Sequence, residues 1–434
     1  MADTDPRTSA RQRLNRKFDL AVVGAGAAGL SLAYGATRLG WSVALIERAE
    51  MGGDCLNYGC IPSKTLLNAA RSGADWAGAQ ARIRAAIAAI APMDSAARYE
   101  GLGATVLRGT AQMTPQGALR VDGVPVAAKR IVLAIGSRSA IPAFCTDLPY
   151  LTNETIWDLP ERPAHLLILG AGPMGCEMAE AFANLGAEVT LVGEVLPREA
   201  PELAAPLAAS LAARGVTLIG QRAIGAGLGP VLLLADGRSV AGTHLLLATG
   251  RKVDGTGLGI EIGPRGIRTD AGLRVPRRRH VYAMGDCADP DGIGPQRFTH
   301  IAAAHASLLI RRLVFRLPGK LPATPPIRVV YTLPELAQIG AITGHRVLEQ
   351  TFAENDRAIA ERETAGLVRL VLDRRGRLIG AGITCPGAGE MIGLYALAIA
   401  RRIKLSAIAG LVLPYPTRSQ AGIRAAGAYF ADRL

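Results

Sequence analysis

The stretch Phe18-Asp19-Leu20-Ala21-Val22-Val23-Gly24-Ala25-Gly26-Ala27-Ala28-Gly29 decides the fold. Its first six residues read as a buried strand, its glycines follow a GxGxxG spacing, and the apolar run beyond them reads as a helix to about Leu39. A second strand pattern over 42–46 ends in Glu47, eighteen residues after Gly29. Each part has a physical task. Gly24, Gly26 and Gly29 let the backbone approach a pyrophosphate at a helix N-terminus, and an acid closing the second strand accepts ribose hydroxyls. The glycine motif alone specifies little, whereas the strand, loop, helix, strand and acid together specify a dinucleotide-binding unit. The uncharged run over 20–37 approaches the length of a membrane span, but glycines at 24, 26, 29 and 35 read as a phosphate loop, and no other segment comes near a span. The cytoplasm is the expected compartment.

The pattern returns at Leu166-Leu167-Ile168-Leu169, Gly170-Ala171-Gly172-Pro173-Met174-Gly175 and Ala187-Glu188-Val189-Thr190-Leu191-Val192, so two dinucleotides are expected. At 434 residues the chain has room for several domains with sizeable cores, and 51 glycines suit the tight turns of an α/β protein with two Rossmann-like folds. A formal charge of +13 raises the question of nucleic acid, but aromatics are only 4% and do not interleave with basic residues, so a solvated basic surface is the better reading. Part of the excess lies in residues 1–17, polar, arginine-rich and without periodicity, which read as a disordered tail. A second cluster, Arg277-Arg278-Arg279, precedes a strand.

Just after the first fingerprint, Gly52-Gly53-Asp54-Cys55-Leu56-Asn57-Tyr58-Gly59-Cys60-Ile61-Pro62-Ser63-Lys64 sets two cysteines with four residues between them. A bridge closing so short a loop removes little unfolded-state entropy, so chemistry suits the pair better than stapling. Zinc is the competing reading. It wants four donors, usually with CxxC knuckles, and the six cysteines and six histidines contain no second cluster. Cys145, Cys176, Cys287 and Cys385 stand singly and read as small core residues, which suits a reducing compartment.

With both dinucleotide units, this loop resembles that of the class I pyridine nucleotide-disulfide oxidoreductases, the family of dihydrolipoamide dehydrogenase, glutathione reductase and mercuric reductase. The resemblance covers nearly everything after residue 17. It implies FAD in the first fold, NADH or NADPH in the second, and a redox-active Cys55–Cys60 disulfide in which Cys60 is flavin-proximal and Cys55 attacks the acceptor. Lys64 and Glu177 match the family's lysine and glutamate beside the flavin, or are surface charges. His280-Val281-Tyr282-Ala283-Met284-Gly285-Asp286 matches the second FAD motif, whose aspartate binds the ribityl chain. The runs ending in Gly136-Ser137 and in Gly250 look like the strands leaving each fold, and with Gly53 these residues are expected beside the cofactors.

The same resemblance exposes departures. Most dithiol relatives end in His-Pro-Thr with a glutamate shortly after, and here the segment is Pro414-Tyr415-Pro416-Thr417-Arg418-Ser419-Gln420. Tyr415 stands for the histidine that would reach the partner subunit's Cys55, and Gln420 for the glutamate. A phenol with a pKa of ~10 is a poor base at neutral pH. Tyr415, Phe298-Thr299-His300 and Tyr58 resemble mercuric reductase, yet the ending Ala428-Tyr429-Phe430-Ala431-Asp432-Arg433-Leu434 has no cysteine pair and no N-terminal CxxC module precedes the first fold. His300 reads either as a substitute proton shuttle or as a structural histidine. Asp54 replaces a common threonine and should disfavour a Cys55 thiolate.

The second fold has Gly193 where the first has Glu47, with Glu194 next and Arg198 beyond. Glu194 would repel a 2′-phosphate, which favours NADH, while Arg198 would attract one. From about Ala323, strand patterns over 327–331, 367–372 and 377–383, with Asp373-Arg374-Arg375-Gly376 as a turn, form an α+β module resembling the family's dimerisation domain. The expected organisation is a tail at 1–17, an FAD domain at 18–150 and 252–322, an NAD(P) domain at 151–251 and a dimerisation domain at 323–434. The expected activity is NAD(P)H oxidation, with electrons passed through Cys55 and Cys60 to a disulfide, metal-ion or other electrophilic acceptor. A lipoyl-protein dehydrogenase with an altered proton shuttle and a noncatalytic or nucleic-acid-associated flavoprotein are the alternatives.

Overall fold

The computed structural model describes residues 17–114, 116–322 and 325–431, so nearly all of the expected tail and the last three residues lie outside it. The chain forms two compact units. Of the described residues, one holds those up to Thr65, Gln80–Ala140 and 251–322; the other holds Leu66–Ala79, Ile141–Gly250 and 325–431.

The first unit is built on a five-stranded parallel sheet, in the order Val281–Ala283, Ile131–Leu133, Leu20–Val23, Val43–Glu47, Thr105–Arg108. Leu20–Val23 and Val43–Glu47 are buried along their whole lengths, as expected of central parallel strands covered on both faces. The helix Ala27–Arg38 follows the glycine loop directly, with Gly26 as its extended N-cap and no side chain closing its first turn. Its free N–H groups and dipole favour an anion there.

The second unit repeats this plan. Its parallel sheet runs Thr217–Ile219, Glu188–Val192, His165–Leu169, His244–Leu247, Tyr150–Leu151, and the helix Pro173–Asn184 starts at an extended Gly172 with proline at its first position. The C-terminal module adds a five-stranded antiparallel sheet ordered Arg328–Val330, Glu335–Gly340, Leu378–Cys385, Leu367–Leu372, Arg346–Thr351. The expected turn at 373–376 joins two of these strands, while Glu335–Gly340 and Arg346–Thr351 were absent from the sequence reading.

The inserted fold and the C-terminal module share a unit for visible reasons. Thr384 Oγ1 donates to Leu203 O at 2.7 Å, and Arg328 pairs with the buried Glu199 at 2.8 Å. Leu66–Ala79, expected in the FAD domain, joins them because Trp76 packs on Phe182 and donates to Leu159 O at 3.0 Å, while Arg71 pairs with the buried Glu180 at 2.7 Å.

Candidate active site

The cysteine loop is stitched to the glycine loop. Gly52 N donates to Ala25 O at 2.9 Å, Gly26 and Gly52 form a parallel bridge, and a Cβ on Gly53 would lie 2.6 Å from Gly26 Cα. Gly52 takes the left-handed conformation, φ 88°, as N-cap of the short helix Gly53–Asn57 that carries Cys55. Asn57 Nδ2 ties this helix back to Met51 O and Gly53 O at 3.0 and 2.9 Å. Cys60 opens the longer helix Cys60–Arg71, where the N-terminal dipole favours a thiolate.

The two sulfurs are thiols in this structure, and Thr299 touches both. Its Oγ1 donates to Cys55 Sγ at 3.4 Å and lies 3.6 Å from Cys60 Sγ. The pair divides its protons unequally. Cys60 is lowered to about 6, first by a hydrogen bond from Cys55 and further by Thr299 and the Lys64 charge, against the opposing effect of burial. Cys55 is raised, because it keeps the proton it shares with Cys60 and is itself desolvated. The expectation for Cys55 therefore holds in direction but with another cause. Asp54 pairs with Arg251 at 3.3 Å, and its charge acts weakly on Cys60.

The thiols also differ in what they face. Cys55 and Thr299 line a cavity of about 1090 Å³, and Cys60 is exposed but forms no part of that wall. His300 stacks on Phe298 with ring centroids 5.3 Å apart. Sequence reasoning singled out His300, whereas the neighbour one residue earlier reaches the sulfurs. Only the fold, which brings residues 55, 60 and 299 together, carries that signal.

The first fold fits a dinucleotide. A Cβ on Gly24 would stand 2.3 Å from Ala134 O, and one on Gly29 would stand 1.8 Å from Gly24 O, so any larger residue would fill the cradle. Glu47, buried at its strand end, accepts from Ala25 N at 2.6 Å and Ala49 N at 2.8 Å. Beside Gly136, Ser137 Oγ donates to Asp286 Oδ2 at 2.8 Å and accepts from Arg251 Nε at 2.7 Å. Burial holds the Asp286 carboxyl above its usual range. Arg251, which follows Gly250, was not anticipated.

In the second unit, Gly170 and Gly175 repeat the close approaches, and a smaller pocket of about 410 Å³ is lined by Gly170, Gly193, Glu194, Gln221 and Arg222. Arg198, the cation considered from sequence, is exposed and outside that lining. Glu177 is buried and accepts from Tyr331 N at 3.0 Å. Tyr415 is 70% exposed and donates to Asp356 Oδ2 at 3.0 Å, a bond that raises its phenol further. Gln420 opens the last helix, Gln420–Ala431.

Comparison with known proteins agrees with this geometry. Residues 18–307 match the pyridine nucleotide-disulphide oxidoreductase family, and residues 327–426 match its dimerisation domain. Mercuric reductase of Streptomyces lividans is 33% identical, with 96% of this chain and 97% of that protein covered. Mercuric reductase of Shigella flexneri is 32% identical, covering 92% and 78%. Among solved structures, LpdA from Mycobacterium tuberculosis superposes with a TM-score of 0.84 at 25% identity, covering 94% of this chain and 99% of that one. The HOCl-induced flavoprotein disulfide reductase RclA from Escherichia coli superposes at 0.83 with 24% identity, covering 94% and 99%, a likeness of fold. With its doubled dinucleotide fold, its thiol pair and these matches along nearly its whole length, the chain belongs to the class I pyridine nucleotide-disulfide oxidoreductases, enzymes that use FAD and NAD(P)H.

Proposed function

We propose that this enzyme draws electrons from NAD(P)H, prefers NADH, and delivers them through Cys55 and Cys60 to an external electrophile in the manner of mercuric reductase. The unequal thiol pair carries the reading. Cys60 holds the negative charge, and Cys55 holds the proton and the place in the cavity wall, so one sulfur suits the cofactor side and the other the acceptor side. Gly24, Gly26, Gly29, Glu47, Gly53, Gly136, Ser137 and Asp286 would hold FAD, while Gly170, Gly172, Gly175, Glu194 and Gly250 would hold the nicotinamide cofactor. Bound FAD supplies hydride acceptance and two-electron transfer. Lys64 favours the Cys60 thiolate by its charge, and Glu177 has the place of the family's flavin-side glutamate.

In this reading the protein is a cytoplasmic homodimer, and Tyr415 and His300 are the two residues open to an acceptor-side role. The cavity of about 1090 Å³ that Cys55 lines has room for an organic disulfide as well as for a metal ion. That observation keeps lipoyl-type substrates as the second reading. A phenol bonded to Asp356 is a poor base, so lipoamide turnover should be slow and should rise in Tyr415→His with Gln420→Glu. An acceptor screen with purified protein tests both readings, following NADH and NADPH oxidation against disulfides, lipoamide, quinones and Hg²⁺. Turnover that persists undiminished in Cys55→Ser with every acceptor would refute the path through the thiols.

A further inference from the structure

The acceptor-side cavity contains an acid that the sequence reading passed over. Asp94 ends the helix Trp76–Asp94 and lines the same wall as Cys55 and Thr299. A Cβ on Gly52, three residues before Cys55, would stand 3.2 Å from Asp94 Oδ2, so the carboxyl lies against the loop that carries the reacting thiol. The surrounding wall is largely apolar, with Leu30, Ile61, Ile90 and Phe315 among its members. The charged and titratable groups facing it are Tyr34 from the helix Ala27–Arg38, Arg98 and Tyr99 from the helix Ala96–Gly101, Arg311 from the π-helical turn Ile310–Val314, and Cys55 itself. Burial holds the Asp94 carboxyl above the ordinary aspartate value and outweighs the lowering effect of Arg98. Part of that guanidinium is engaged elsewhere, over the Tyr34 and Tyr99 rings at 5.5 and 5.7 Å and on Met93 O.

We propose that Asp94 is the general acid that protonates the departing sulfur when Cys55 reduces an organic disulfide, the task left open by Tyr415 and Gln420. This assignment rests on the reading of Cys55 as the interchange thiol. In the first step Cys55 Sγ attacks one acceptor sulfur while its proton passes to the Cys60 thiolate. The acceptor S–S bond breaks, and the departing sulfur takes the Asp94 proton. Cys60 Sγ then attacks Cys55 Sγ, the mixed disulfide breaks, and the second departing sulfur takes up the proton that Cys60 releases. The two electrons of the dithiol now reside in two acceptor thiols, the Cys55–Cys60 disulfide is closed, and Asp94 regains its proton from solvent.

A carboxyl that merely supports the fold would slow every acceptor alike. An acid acting on the leaving group matters when the departing thiolate is basic and not when it is already stable. The test mixes FAD-loaded, dithiol-reduced protein with hydroxyethyl disulfide or with 5,5′-dithiobis(2-nitrobenzoate) and follows thiol release in a single turnover. Asp94→Asn should slow the alkyl disulfide by about 10²-fold and the aryl disulfide by no more than about threefold, with Asp94→Glu restoring most of the alkyl rate. Equal slowing with both disulfides, or none with either, overturns the assignment of Asp94. Cys55→Ser separates the two layers: if it still reduces the alkyl disulfide at the wild-type rate, the interchange assignment fails, whereas loss in Cys55→Ser with an unchanged Asp94→Asn removes Asp94 alone.

Discussion

In the first dinucleotide fold a Cβ on Gly24 would stand 2.3 Å from Ala134 O and one on Gly29 1.8 Å from Gly24 O; in the second, a Cβ on Gly170 would stand 2.4 Å from Ala248 O and one on Gly175 1.9 Å from Gly170 O. Strand, loop and helix are thus packed alike. After the second strand the chain also returns to the loop in both, through Gly52 N to Ala25 O in one and Leu196 N to Ala171 O in the other, each at 2.9 Å. The difference lies at the strand's end. Glu47 is buried and accepts from Ala25 N, whereas Gly193 occupies the corresponding place with φ 126° and leaves the acid one residue later, exposed at Glu194. Only the first fold continues into a thiol loop. The two folds thus share one scaffold and part at the acid, which is drawn into the loop's hydrogen bonding in the first and left at the surface in the second.

Substituting equivalent glycines should break the symmetry most severely. Gly29→Ala drives a Cβ into Gly24 O and should yield protein without bound FAD, read from the ratio of flavin to protein absorbance after purification. Gly175→Ala meets the same obstacle in the second fold, yet should retain FAD while losing NAD(P)H oxidation, with chemical reduction of the thiols preserved. FAD loss from Gly175→Ala alone would show that the folds do not divide the cofactors in this way.

The thiol loop gives the next largest effect. Cys60 alkylation in the reduced protein should follow a thiolate midpoint at about 6, falling as pH drops through that value because the reactive anion is being protonated. Cys55→Ala removes the hydrogen bond that contributes most to this lowering, so the midpoint should rise towards the ordinary thiol value of ~8.5 and the rate at neutral pH should drop by about tenfold or more. An unchanged profile would mean that the helix terminus and Lys64, not Cys55, create the anion.

The smallest effects concern the exposed acid. Glu194→Arg should move the kcat/KM ratio towards NADPH by about tenfold, worth ~1.4 kcal/mol. Arg222→Ala, which removes the cation lining the same pocket, should move it a few-fold towards NADH, in keeping with an exposed charge in water. A wild-type preference for NADPH would place Arg222 ahead of Glu194 and sharpen the contrast with Glu47.

Much of this was legible because glycine spacing and strand periodicity are local. The loops at 24–29 and 170–175, the acid at 47, the strand Leu367–Leu372 and the turn after it stand where the sequence put them. The strand Glu335–Gly340, as long as Leu367–Leu372, was hidden by its polar Gln338, whose side chain accepts from Ala200 N inside the protein and could not be distinguished from a surface residue. Thr299, Arg251 and Asp94 escaped for another reason. Each earns its place by an approach to residues tens or hundreds of positions away, and hydroxyls, guanidinia and carboxylates are too common for sequence to mark them. Arg222 escaped because it lies not in the loop directly after the second strand but in the turn beyond the next one, Thr217–Ile219.

The stitch between Gly26 and Gly52 makes the phosphate loop and the thiol helix a single lever. Gly52 stands three residues before Cys55, so a substitution that shifts the glycine loop should displace the thiol helix as well. Damage at either loop should therefore be felt as one defect, in nucleotide binding and in thiol reactivity together.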